Sequence, residues 1–379
     1  MSQSFQTQVT IAPAPGEEGD FYGTNPRAIA IAGPGQFVSP NTPSPIDAGQ
    51  NGLVVGHFAW CDTDNGVVSQ SYVPGYQLAF LRRGNNAIIT QFLGQATMLI
   101  PQGLPITLYS QGDFWAKFAA GATPGQLVAA DPDTGAPIAY DSGSLPNTVS
   151  MTGSVGAAVT ALVGASAATG TNTGASVAIT GLTGYLSPGD VLTDGTNSAT
   201  ILSQASGTTG SNGTYNLVAA PTPGDWVAAS LTGTSNNIDV TVDAGLISVG
   251  DTITGSGFTA AKITAQISGT AGGTGVYSFA GAQQGPLTSR SFTINSNILN
   301  VTAISSGVPG VGDVLTGPSG SPQITGQLTG STGSTGTYSI NGSAIHFASG
   351  TITVAAITTP WIVNGSAGNG ELAPISTWG

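Results

Sequence analysis

Three markers recur along the second half of this chain at one period. Asp190, Asp251 and Asp313 are 61 and 62 residues apart; Gln204, Gln266 and Gln327 are 62 and 61 apart; Tyr215, Tyr277 and Tyr338 are again 62 and 61 apart. Each Asp follows a glycine and precedes a short apolar run, as in Pro188-Gly189-Asp190-Val191-Leu192. Each Gln lies in a second run, such as Ile201-Leu202-Ser203-Gln204, and each Tyr closes a Gly-x-Tyr. Independent markers that keep one period define an internal repeat, with copies over 176–235, 236–296 and 297–351.

The third copy holds four apolar runs: Ile298 to Ile304, Asp313 to Thr316, Ile324 to Thr329 and Thr337 to Ile340. Runs this short, rich in Val, Ile, Thr and Tyr and bounded by Gly, Ser and Asn, predict antiparallel strands and not helices. A unit of about 62 residues buries only about 60% of the surface its unfolded chain exposes. One copy alone is therefore marginal, and each is expected to stack on its neighbours or on another chain.

The copies leave residues 1–140 and the chain end to be placed. Phe5, Thr7, Val9 and Ile11 alternate with polar residues, and Pro13, Pro15, Pro26, Pro34, Pro40, Pro43 and Pro45 follow closely. Proline fixes φ and removes a donor, so 1–50 reads as an extended arm that needs another surface, a partner's or its own domain's, to order it. From residue 51 to 140 short strand candidates follow one another: Leu53 to Trp60, Tyr76 to Arg82, Ala87 to Phe92, Thr97 to Ile100, Ile106 to Tyr109, Phe114 to Ala119 and Gln126 to Ala129. Their spacing is that of an all-β sandwich or barrel. Residues 141–175, dominated by Gly, Ala, Ser, Thr and Val, read as a linker or as a degenerate fourth copy, the linker being favoured. Trp361 and Trp378 are out of keeping with a frayed tail, so 352–379 is expected to return to the first domain, making the repeat array an insertion in it.

Composition limits the function classes. The chain of 379 residues carries 6 Lys plus Arg against 18 Asp plus Glu, a net charge of −12. Nucleic-acid affinity rests on Lys and Arg displacing counterions from phosphates, so that class is excluded. Charged residues are 6% and hydrophobic ones 40%; the apolar surface is ample for folding, and charge-rich disorder is excluded too. No run of 18 apolar residues predicts a membrane helix, and Met1 to Thr10 lacks a signal-peptide pattern, so synthesis in a cytoplasm is expected. Cys61 is the sole cysteine, which rules out an internal disulfide.

Three stretches then carry a resemblance. Asp113-Phe114-Trp115-Ala116-Lys117-Phe118, the run Gly121-Ala122-Thr123-Pro124-Gly125-Gln126-Leu127-Val128-Ala129 with the turn Asp131-Pro132-Asp133-Thr134-Gly135, and Thr359-Pro360-Trp361 through Gly370-Glu371-Leu372 to Trp378 resemble the structural cement proteins of tailed-bacteriophage heads. The repeats are similar to modules of other phage virion proteins, fibres included. The resemblance implies a β-rich homo-oligomer, dimer or trimer, on the outer capsid surface, clamping neighbouring major capsid proteins.

Chemistry-bearing residues are few. His57 and Cys61 are four apart in a predicted strand, a conceivable nucleophile pair, but a free Cys is more often a small buried hydrophobe. The set lacks the three or four ligands zinc requires. Asp62 with Asp64 and Asp131 with Asp133 sit beside glycines and read as turns, the sharper alternatives being calcium ligation or a glycosidase pair. Asp190, Asp251 and Asp313 likewise read as turn residues, and Tyr215, Tyr277 and Tyr338 as core in preference to a sugar-binding face. No catalytic residue, cofactor or metal is expected.

The reading is thus an all-β protein with an antiparallel, jelly-roll-like sandwich over 51–140 plus 352–379 that binds a capsid, and an inserted, outward array of three modules. Capsid contacts are expected at Phe5, Val9, Ile11, Phe21, Tyr22 and Arg27. The alternative is a phage fibre or appendage that binds a receptor or host-surface glycan through the repeats.

Overall fold

The computed structural model describes residues 16–33, 35–42, 51–84, 98–221, 226–317 and 320–378. Among them are twenty-eight strands and no helix, an all-β fold. The chain divides into two compact units, one of residues 1–148 and 354–379, the other of 149–353.

The first unit opens with β1 (Ala28–Ile29), β2 (Gly52–Val54), β3 (Phe58–Asp62), β4 (Val67–Ser69), β5 (Gln77–Leu81), β6 (Leu99–Pro101) and β7 (Leu108–Gln111). Five of these form a sheet in the order β1-β7-β5-β3-β4, while β2 and β6 pair separately. The predicted strand Leu53 to Trp60 is thus two strands in different sheets, broken at Gly56, whose φ of 80° turns the chain between them. After Gly112 the chain passes into a second sheet through β8 (Asp113–Phe118), β9 (Leu127–Ala130) and β10 (Pro137–Tyr140). The candidate Ala87 to Phe92 lies outside the described residues.

The second unit shows why its copies keep one period. Residues 147–173, expected as a linker, are two long strands, β11 (Asn147–Val163) and β12 (Ala165–Thr173). Small and β-branched side chains at alternate positions suit a strand with one face buried, and Val149, Met151, Val155, Val159, Ala161 and Val163 are all buried. The low-complexity composition hid this, because the many Gly and Ala residues of the stretch carry weak strand propensity.

The first copy supplies β13 (Ser176–Gly184), β14 (Val191–Thr193), β15 (Ser198–Gly207), β16 (Gly213–Leu217) and β17 (Ala229–Thr234), which close with β12 into a barrel. The second supplies β18 (Asn237–Gly245), β19 (Thr252–Gly255), β20 (Phe258–Gln266), β21 (Gly275–Phe279) and the first half of β22 (Leu287–Ser306). These ring with the latter half of β11, since β18 pairs with Ala157 to Val163 on one side and β22 with the same stretch on the other. The third copy adds the second half of β22, β23 (Leu315–Thr316), β24 (Ile324–Gln327), β25 (Gly336–Ile340) and β26 (Phe347–Ala355), around the first half of β11. That ring is completed by the bridge Val314↔Gln323 between the approaches to β23 and β24. Each copy therefore holds five strands, not four, and borrows its sixth from 147–173, which serves the third copy first, then the second, then the first.

Gly156 and Gly164 mark the two steps from one ring to the next. Both have left-handed φ, 65° and 64°, and a Cβ there would stand 2.0 Å from the Ile294 carbonyl oxygen and 2.1 Å from that of Gly233. Only glycine accepts both the conformation and the approach.

The chain then re-enters the first unit through β27 (Ile357–Val363) and β28 (Glu371–Ser376), and its second sheet is completed in the order β10-β9-β27-β28-β8. The two five-stranded sheets face one another across Phe58, Trp60, Phe80, Phe114, Phe118, Val128, Trp361, Val363 and Ile375. Phe58 stands edge-on to both Phe80 and Trp361, at 5.3 and 5.2 Å between ring centres. The opposite face of the first sheet is covered by Leu53, Val55, Ile100 and Ile106 and by Ala30, Ala32 and Phe37 of the expected arm. Ala30, Ala32 and Phe37 thus pack against their own domain.

Candidate functional site

Two places concentrate side-chain geometry: an aromatic and arginine face on the first unit, and a loop clamp that occurs three times in the second.

The face begins where Phe21 bridges to Phe114 of β8. Its ring lies 5.5 Å from Tyr109 and 5.5 Å from Phe114, and the guanidinium carbons of Arg27 and Arg82 stand 3.5 and 4.0 Å from its centre. Guanidinium groups stack on aromatic faces because the ring quadrupole attracts the cation. Tyr22 meets Trp115 edge-on at 5.1 Å, and Trp378 donates its indole N–H to the Pro26 carbonyl at 3.1 Å. Below them Asp113, buried, accepts from Asn25 Nδ2 at 2.7 Å and from Ser376 Oγ at 2.6 Å, fastening the segment to β8 and β28. Tyr22 and Trp378 remain 48% and 47% exposed.

Of the expected contact residues, Phe21, Tyr22 and Arg27 thus lie together, with Phe21 half-buried in its own domain; Phe5, Val9 and Ile11 lie outside the described residues. Of the two tail tryptophans expected to pack into the first domain, Trp361 is buried and Trp378 is half exposed. Arg82, Trp115 and Trp378 were not among the expected contacts. Their separation along the chain conceals them, although Arg27, Arg82, Arg83 and Lys117, four of the six basic residues, all belong to this unit.

In the second unit the three sequence markers are parts of one device. Ser187-Pro188-Gly189-Asp190 is a turn in which the Asp190 N–H donates to the Ser187 carbonyl at 3.1 Å and the Asp190 carboxylate accepts the Ser187 N–H at 2.8 Å. Ser248 to Asp251 and Gly310 to Asp313 repeat it, with carboxylate bonds of 2.8 and 2.9 Å. Gly189, Gly250 and Gly312 at the third place have φ of 94°, 95° and 109°, as a type II turn requires. Burial pushes Asp190 up to about 6 against hydrogen bonds from Ser187 and Ser235 that oppose it, and raises Asp251 for the same reason.

Gln and Tyr hold the loop at the other end of the strand. Gln204 donates to the Ser206 and Thr208 carbonyls at 3.1 and 2.8 Å and accepts from the Gly210 N–H at 2.8 Å; Gln266 and Gln327 make the corresponding bonds. The Tyr215 hydroxyl donates to Ser211 at 2.5 Å, Tyr277 to Gly273 at 2.6 Å and Tyr338 to Ser334. The three rings are at most 1% exposed, so none can stack on a sugar. Desolvation pushes the Tyr215 and Tyr277 hydroxyls up to about 12.

The remaining acidic pairs are turns. Asp62 accepts from the Asp64 and Asn65 N–H groups at 2.9 and 3.1 Å and from Asn65 Nδ2 at 2.6 Å, and these bonds hold its pKa down. Asp131 accepts from Asp133 N, Thr134 N and Thr134 Oγ1 at 3.0, 2.9 and 3.0 Å. No group of three or more potential metal ligands occurs among the described residues. Cys61 is buried, and desolvation with Asp62 nearby pushes its thiol up to about 11, the opposite of what a thiolate nucleophile needs. His57, lowered chiefly by burial, shares a 2.8 Å hydrogen bond with the Thr134 carbonyl.

These features define an all-β protein whose polar side chains are committed to turns and seams, carried on a sandwich closed by both parts of its chain. The chain belongs to the XM1 gp53 minor capsid protein family, whose model matches residues 5–377. It is accordingly a phage capsid-related protein with a structural place in the virion. No curated protein and no solved structure matched it.

Proposed function

We propose that this chain is a cement, or decoration, protein: it binds the outer surface of the phage capsid and holds neighbouring major capsid proteins together, acting as a homo-oligomer. The observation that carries this reading is the face of Tyr22, Arg27, Trp115 and Trp378 on the first unit. In a protein with 6% charged residues, a cluster of Tyr, Trp and Arg at the surface is the composition of an interface hot spot. Binding the assembled shell and not its separated parts would stabilise the shell by mass action.

The test is the copy number of the chain in purified particles against the major capsid protein, together with two variants. Copies in the hundreds are expected; a few tens or fewer would transfer the function to a fibre or vertex appendage. Deleting residues 1–15, or replacing Tyr22 and Trp378 by Ala, is expected to abolish decoration of bare shells while the sandwich stays folded. Full binding by both variants would overturn the reading.

A further inference from the structure

The seams between successive barrels differ at one point. At the seam between the first and second, Gln283 reaches across: its Nε2 donates to the Gly189 carbonyl at 2.6 Å, and its Oε1 accepts from Thr234 Oγ1 at 3.1 Å. Thr234 pairs with Val191, and one copy later Asn295 pairs with Thr252, so Asn295 holds Thr234's place. The bridges Ser235↔Gln284 and Ser296↔Ile345 likewise equate Gln283 with Ala344. Val191 pairs with Thr200 on its other side, and Thr252 with Lys262.

At the seam between the second and third barrels the bridging carboxamide is therefore replaced by a methyl group. What results is a cleft of about 470 Å³ lined by Gly250, Asp251, Lys262, Asn295, Asn297 and Ala344, within the range of small-ligand sites. The corresponding carbonyl of the third turn, Gly312, is capped by Gln323 Nε2 at 2.7 Å. Among the described residues no side chain caps the Gly250 carbonyl.

We propose that this cleft binds the acetamido group of an N-acetylated sugar. Gln283 is the internal template: the neighbouring seam accommodates a carboxamide whose N–H meets a glycine carbonyl and whose oxygen meets a side-chain donor. In the open cleft an acetamido N–H would donate to the Gly250 carbonyl and its oxygen would accept from the Asn295 amide. Lys262, exposed at the rim, would meet ring hydroxyls. The site is independent of the sandwich face and of the cement reading, so either can fail alone.

The experiment is ligand titration of the full chain by NMR with two probes of like shape, N,N′-diacetylchitobiose and cellobiose, which differ in the acetamido groups. Saturable binding of the first and none of the second is expected. Ala344→Gln, which restores the bridging carboxamide, should weaken binding at least about tenfold and leave thermal stability unchanged or raised. Asn295→Val, which removes the side-chain donor without filling the cleft, should remove the preference for the acetylated probe. No binding of diacetylchitobiose up to about 10 mM, equal binding of both sugars, or unchanged binding in both variants would each overturn the assignment.

Discussion

At the residue scale, the three markers act through polar groups whose partners are mostly local, the bonds of Asp190 and Asp251 to Ser235 and Ser296 being the long-range ones. The Tyr277 hydroxyl donates to Gly273 four residues back, in the loop that Gln266 also holds. Tyr277→Phe keeps the ring and leaves that carbonyl without its donor, so a loss of about 1 kcal/mol is expected in chemical denaturation. Tyr277→Ala also opens a cavity, and about 3–5 kcal/mol should be lost. Asp190 gives a pH signature. Its folded pKa of about 6 exceeds the ordinary 3.8 because burial disfavours the charge. Between these values the folded barrel holds the proton more tightly than the unfolded chain, so stability falls as pH rises from about 4 to about 6 and is level above. Two units correspond to at most about 3 kcal/mol. Asp190→Asn retains an acceptor for the Ser187 N–H and removes the charge; comparing denaturant midpoints at pH 4.5 and 7 should show the dependence flattened and the pH 7 stability increased.

At the element scale, β11 belongs to two rings at once. Its latter half pairs with Ile238 to Gly245 and its first half with Leu299 to Ser306, and Gly156 is the step between them. A matched pair of substitutions separates conformational strain from contact. Gly156→Ala and Gly181→Ala both force alanine to a φ near 65°, at about 1–2 kcal/mol each. Gly181 has open space around it, whereas the new methyl at 156 collides with the Ile294 backbone. Thermal melts should show a small shift for Gly181→Ala and a loss above about 3 kcal/mol for Gly156→Ala, because β22 must move away from β11.

At the scale of the whole molecule, the insertion leaves and re-enters the sandwich at neighbouring points, with Thr148 Oγ1 donating to the Val354 carbonyl at 3.3 Å. A chain in which a two- or three-residue turn replaces 149–353 is expected to fold cooperatively and to keep shell binding, as read by circular dichroism and co-sedimentation with bare shells. Truncation after Ala356 should instead unfold the first unit. It removes β27 and β28 from the middle of a sheet, along with the buried Trp361, Val363 and Ile375. At about 1.5–3 kcal/mol per large side chain, and with β8 left without a partner strand and one edge of β9 bared, the loss is comparable with the whole stability of a domain.

Local chemistry was legible along the chain. The Gly-Asp turns, the buried tyrosines and the Asx turns at Asp62 and Asp131 depend on neighbours a few residues away, and turn geometry is specified by such neighbours. The all-β class was legible for the same reason, since short runs punctuated by glycine admit little else. What needed the tertiary structure was every role assigned from a distance. Residues 147–173 look featureless because, the hairpin of β12 with β13 apart, their partners lie far along the chain, from Ala229 to Ser306 and on to β26. The pairing of Phe21 with Arg82, and of Tyr22 with Trp115, arises only where separate strands converge. The open seam at Ala344 is visible only once Gln283 is seen to fill its counterpart, for an alanine in a sequence does not say what space it leaves.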